Sequence, residues 1–186
     1  MAGELKLNDV SVATESGGVV SLSAANTLAF PSGHILKVVS SSFNGIQTIG
    51  TSDTDITNLS CSMTITSGNK VLILVSLYTG HGSGDYGIYR IVDGSNSAIY
   101  QNTTGSGNQS NASMVSSSNN IGNDVHRVVN NSLNYLWTPG VTSITVKVRG
   151  RCADGSNVYI NRSENVANGY YANRATSHLT IMEVVA

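Results

Sequence analysis

A chain of 186 residues suits one domain with room for a small appendage, and it is long enough to bury a core without disulfide staples. Hydrophobic residues make up 40%, which excludes a disordered chain, while charged residues are only 11% against roughly 25% in an average soluble domain. The net charge of −1 supplies no long-range field for nucleic acid. The polar surface comes instead from 27 Ser, 16 Thr, 20 Asn and 19 Gly, residue types that favour turns and strands over helix.

In chain order, period-2 alternation dominates and no stretch sustains helical spacing beyond a turn or two. The start, MAGELKLND, has an early Glu and no apolar core, so it does not read as a secretory signal. Residues 5–12, LKLNDVSV, alternate with a phase slip at Asn8-Asp9, which predicts a turn or bulge there. A strand GVVSL follows a Gly-Gly turn, and FPSG at 30–33 reads as a hinge into the main body. HILKVVSSSF is a strand followed by a short polar loop, and NLSCSMTI is a strand with one buried face.

The stretch 66–70, TSGNK, is a tight turn. VLILVSLY is apolar on both faces and belongs in the middle of a sheet; its VLILV core is far too short to span a bilayer. Residues 86–100 predict a hairpin turning at Asp93-Gly94. Of the 23 residues 102–124, 17 are Asn, Ser, Gly or Thr, which predicts a long exposed loop or a weak edge strand around MVSSS. VHRVVNNSLNYLW, TSITVKVRGRC, NVYINR and ATSHLTIMEVVA supply the remaining strands. Eight to ten strands without helical crossovers indicate an all-β, antiparallel sandwich or barrel.

Cys61 and Cys152 fall on apolar strand faces, which fits two reduced core thiols, with a buried disulfide as the alternative. Gly82-Ser83-Gly84-Asp85-Tyr86-Gly87 matches G-x-G-x-x-G, but a strand follows where a dinucleotide site needs a helix, so a hairpin loop fits better. His34, His81, His126 and His178 are scattered without metal spacing, and Asp53-x-Asp55 lacks the Gly and Glu of a calcium loop. Neither a cofactor, nor a metal, nor a catalytic constellation is expected. Lys147, Arg149 and Arg151 share the solvent face of one strand, where they suit an acidic partner or, more simply, a solvated face that blocks edge pairing.

Tyr170-Tyr171, flanked by Asn168-Gly169 and Asn173, offer apolar area beside amides and so suit sugar faces. Tyr86, Tyr89 and Tyr100 of the predicted hairpin could act similarly, or fill a sheet edge or subunit contact.

LKLNDVSVATESGGVVSL, FPSGHILKVV, SGNKVLILVSL, VYINRS and HLTIMEVVA together resemble a group of small structural proteins of tailed phages. These are tail-fibre-like and virion proteins, especially of phages infecting cyanobacteria and other aquatic bacteria. The resemblance implies a non-enzymatic, β-rich virion component, usually trimeric, with an N-terminal attachment region and a C-terminal globular head. The expected organisation is then a virion-attachment or trimerisation segment at 1–33 and a jelly-roll-like antiparallel β-sandwich at 34–186.

On this reading the chain pairs with itself as a homotrimer and with another virion protein. Its loops 79–86, 102–124 and 163–174 face the host surface and its glycans, with Tyr86, Tyr170 and Tyr171 as candidate contacts. The last strand is apolar on both faces, so Leu179, Ile181, Met182 and Val184 are candidate trimer-interface residues. Neither nucleic acid nor membrane insertion is expected. The expected location is the virion, after synthesis in the host cytoplasm. A capsid decoration or cement protein, or a head fibre, is the alternative; a stand-alone carbohydrate-binding module or a depolymerase fragment is another.

Overall fold

The computed structural model describes residues 3–7, 10–16, 19–22, 30–82, 86–106, 110–117, 126–165 and 172–186. The chain divides into two compact units, Met1–Pro31 and Ser32–Ala186. In the first, β1 (Gly3–Leu7), β2 (Val10–Ser16) and β3 (Val19–Leu22) form an antiparallel three-stranded sheet in sequence order. The turn or bulge expected at Asn8-Asp9 lies outside the described residues; the β1–β2 ladder shifts register between Leu5 and Lys6.

The second unit is all-β: two antiparallel sheets packed face to face over one apolar core. The strands are β4 (Ile35–Phe43), β5 (Gln47–Ile49), β6 (Thr54–Thr64), β7 (Lys70–His81), β8 (Tyr86–Asp93), β9 (Ala98–Tyr100), β10 (Met114–Ser117), β11 (Val129–Trp137), β12 (Ser143–Cys152), β13 (Val158–Ile160) and β14 (Ser177–Val184). One sheet runs β4-β14-β7-β11; β13 and then β5 continue it along the edge of β7 that β14 leaves free. The other runs β6-β12-β8-β10, with β9 on the same edge of β8 as β10. The pairings nest: β4 with β14, β6 with β12, β7 with β11, β8 with β10.

Alternation decides the core. Val71, Ile73, Val75 and Leu77 of β7 face Leu179 and Ile181 of β14 on one side of the core, and Val146 and Val148 of β12 supply the other side. In β6 the inward parity changes between Ile56 and Leu59, because Asn58 takes a left-handed conformation (φ 59°) and the ladder to β12 skips there. Cys61 and Cys152 are both buried and unpaired with each other, as two core thiols.

Two elements differ from the sequence reading. β5 was hidden in the expected polar loop, because three residues carry too little alternation to register. The hairpin after β8 does not turn tightly at Asp93-Gly94. Asp93 Oδ1 instead accepts the Ser95 and Ser97 amides, at 2.9 Å each, and Asn96 supplies the left-handed residue (φ 70°) of a longer loop.

The 66–70 turn closes as expected, with Gly68 at φ 90° and Asn69 N–H on Thr66 O. It is also pinned from a distance. Glu183 of β14 is fully buried, and its Oε1 accepts the Thr66 N–H and the Asn69 side-chain amide at 2.7 Å each. Lys37 Nζ lies 3.4 Å from Oε2. Burial alone would raise the Glu183 pKa, but these donors and the Lys37 charge outweigh it and hold the carboxyl below its usual range.

Candidate functional site

At the far end of β7 the strand's ladder is interrupted. β14 pairs as far as Ser76 and β13 begins at Thr79, so the intervening backbone on that edge needs other partners. Side chains and a neighbouring amide supply them. Ser177 Oγ accepts the Tyr78 N–H at 3.0 Å, and the Asn161 N–H donates to Tyr78 O at 2.9 Å. Asn161 is fully buried in a left-handed conformation (φ 61°); its amide donates to Gly45 O and accepts Ser177 Oγ–H at 2.6 Å.

This junction holds the segment before β14 against the sheet, and Ala175 N–H donates back to Asn161 O. Residues 126–128, before β11, approach from the other side, where Asn173 Nδ2 donates to His126 O at 2.8 Å. The result is an open cleft of about 540 Å³ over Tyr78, walled by His126, Arg127 and Val128 on one side and by Asn173, Arg174 and Ala175 on the other. Arg127 and Arg174 are exposed, and Tyr78 is half-buried.

Behind the cleft, between the sheets, lies a buried polar chain. Asn131 Nδ2 donates to Thr79 Oγ1 at 2.9 Å, Thr79 Oγ1–H to Ser116 Oγ at 3.3 Å, and Ser116 Oγ–H to Tyr89 OH at 3.3 Å. Thr79 Oγ1 also hydrogen-bonds His81 Nε2, 3.1 Å away. His81 Nδ1 is buried without a hydrogen-bond partner. Burial pushes the imidazole down to about 4 and the Tyr89 phenol up to about 12. Both His81 and Tyr89 are buried and neutral at pH 7.

The expected site residues fall in different places. Tyr86 begins β8 and is half-buried, while Tyr170 and Tyr171 lie outside the described residues. Tyr89 is fully buried, which corrects its reading as a contact residue: its ring fills the core beside Gly150, where a Cβ would stand 2.8 Å from Tyr89 Cδ1. Tyr100 is exposed and stacks on Tyr135 at 4.5 Å between ring centroids. The basic stripe is not an edge guard, since β12 lies between β6 and β8. Two of its three cations share one acid, Arg149 Nε and Lys147 Nζ lying 2.6 and 3.2 Å from Asp55, while Arg151 donates to Ser110 Oγ at 2.8 Å; on the neighbouring strand Arg90 pairs with Asp53 at 2.8 Å.

Leu179 and Ile181 are fully buried in the chain's own core, whereas Met182 and Val184 lie half-buried on the outer face of the same strand. There, register sets Met182 between Val38 and Leu72, and Leu72 opposite Leu136, an apolar row across four strands. Val38 is 57% and Leu136 47% exposed.

Neither a protein-family model nor a curated protein matches this chain. Among the described residues, no group of three or more His, Cys, Asp or Glu could hold a metal ion. The cleft over Tyr78 went unnoticed in the sequence because its walls come from three separate segments. Arg127 and Arg174, which lie two and three residues before β11 and β14 and pair with no carboxylate among the described residues, were the available signal.

Proposed function

We propose that this chain is the trimeric fibre component of a tailed-phage virion. Residues 1–33 attach it or start the trimer, and residues 34–186 form a jelly-roll head that presents its far end to the host surface. One observation carries this reading. The chain enters the sandwich beside its own last strand, where Gly33 N–H donates to Val185 O at 2.8 Å and Val185 N–H to His34 O at 2.9 Å. The cleft over Tyr78 opens at the opposite end of β14. Seven residue steps at ~3.3 Å separate Ser177 from Val184, about 23 Å. A head fed at one end and recessed at the other has the polarity that a fibre tip needs.

The nested antiparallel pairing of first strand with last, and so on inward, is the connectivity of a jelly roll, which supports that finer description. The apolar row Val38–Met182–Leu72–Leu136 supports self-association. The row on one side of it carries Ser40, Thr180, Leu74 and Asn134, so identical copies meeting there oppose no like charges, while Lys70 stands beside Val184 in the row on the other side. Fully burying each side chain of such a row contributes about 1.5–3 kcal/mol.

Light scattering on the purified chain should give a trimer mass. Val38→Asp, at an exposed position, should give a folded monomer. A wild-type monomer would overturn the trimer. Copy number against the major capsid protein tests the location: a few tens per virion supports a tail fibre, hundreds a capsid decoration, and absence from particles removes the virion reading.

A further inference from the structure

We propose that the cleft over Tyr78 binds the carboxylate of an acidic sugar, a uronate unit of a surface polysaccharide, with Arg127 and Arg174 holding the charge. Among the described residues neither arginine is paired with a carboxylate, and the cleft is lined by no acid. On β12, by contrast, Lys147 and Arg149 already share the Asp55 carboxylate. A third arginine is occupied: Arg162 donates to Ser163 O and Glu164 O and lies over the Tyr159 ring, 4.0 Å from its centroid. Its backbone is bridged to that of Arg174.

The cleft's size falls within the range of small-ligand sites, roughly 300–1,000 Å³. Guanidinium groups bind carboxylates through paired N–H donors, and the Tyr78 ring with Val128 and Ala175 offers apolar area to a sugar's C–H face. The Asn173 tie to His126 O keeps both walls in place before a ligand arrives, which reduces the ordering cost of binding.

Other anions fit less well. An extended acidic peptide would seek a free strand edge, but the gap in β7 is already closed by Ser177 and Asn161. A nucleic acid needs a track of cations, and the cleft offers two, on a chain of net charge −1.

The inference deepens the host-surface reading and rests on it only for where such a polysaccharide is met. The test is calorimetric titration of the full chain with oligogalacturonate, alongside a neutral maltooligosaccharide, dextran sulfate, poly-L-glutamate and single-stranded DNA. Oligogalacturonate should bind and the neutral sugar should not. Arg127→Gln and Arg174→Gln, both at exposed positions, should each weaken binding about 10-fold, and the double variant should abolish it. Failure to bind oligogalacturonate at millimolar concentration, or binding unchanged in the double variant, would overturn the proposal. So would equal or tighter binding of dextran sulfate, poly-L-glutamate or DNA, each of which assigns the cleft to another anion. None of these outcomes depends on copy number in a virion, so this inference and the fibre reading fail separately.

Discussion

Acidification from pH 7 to pH 4 should weaken the head through His81, by an amount that the structure sets. The imidazole is buried, its Nε2 is hydrogen-bonded to Thr79 and its Nδ1 has no partner, so burial penalises the charged form. Its pKa therefore falls from 6.5 to about 4 in the fold. Between those values the unfolded chain binds a proton that the folded chain refuses. The contribution is full above pH 6.5 and is lost as the pH falls toward 4. A difference of about 2.5 units at about 1.36 kcal/mol each comes to about 3 kcal/mol.

His81→Gln keeps an N–H for Thr79 and removes the titration. Urea unfolding, followed by the fluorescence of Trp137 at fixed protein concentration, should show the wild type losing about 3 kcal/mol more than the variant over that range. The acid losses of the carboxylates and of the other histidines are common to both proteins and cancel in the difference. Parallel pH curves would refute the network as drawn.

Glu183→Gln should destabilise the head by about 1–3 kcal/mol at pH 7, since two hydrogen bonds to a charged acceptor become bonds to a neutral one. The Glu183 pKa is depressed in the fold, so its contribution is full above its unfolded value, near 4.5, and fades as the pH falls through the folded one; the wild type and the variant should then converge. Gly150→Ala should lower stability by about 1–3 kcal/mol, because the new Cβ meets the Tyr89 ring; an unchanged melting temperature would mean that the ring has room to shift. Cys61 and Cys152 should resist a thiol reagent in the native protein and react fully in denaturant; prompt native labelling would contradict their burial.

Alternation alone was enough to place most strands of the head, since a half-buried strand must write its buried face into every second residue. It also put both thiols inside, while Gly and Asn marked the turn at 66–70. What it cannot specify is which strands are neighbours, because pairing joins segments far apart in sequence. The tertiary structure therefore decided that β12 is central, that Tyr89 belongs to the core while Tyr100 is exposed, and that Glu183 reaches a turn more than a hundred residues away. It also created the cleft over Tyr78. An unpaired stretch between β14 and β13 exists only once both strands have docked on β7, and only then do the segments carrying Arg127 and Arg174 face each other across it.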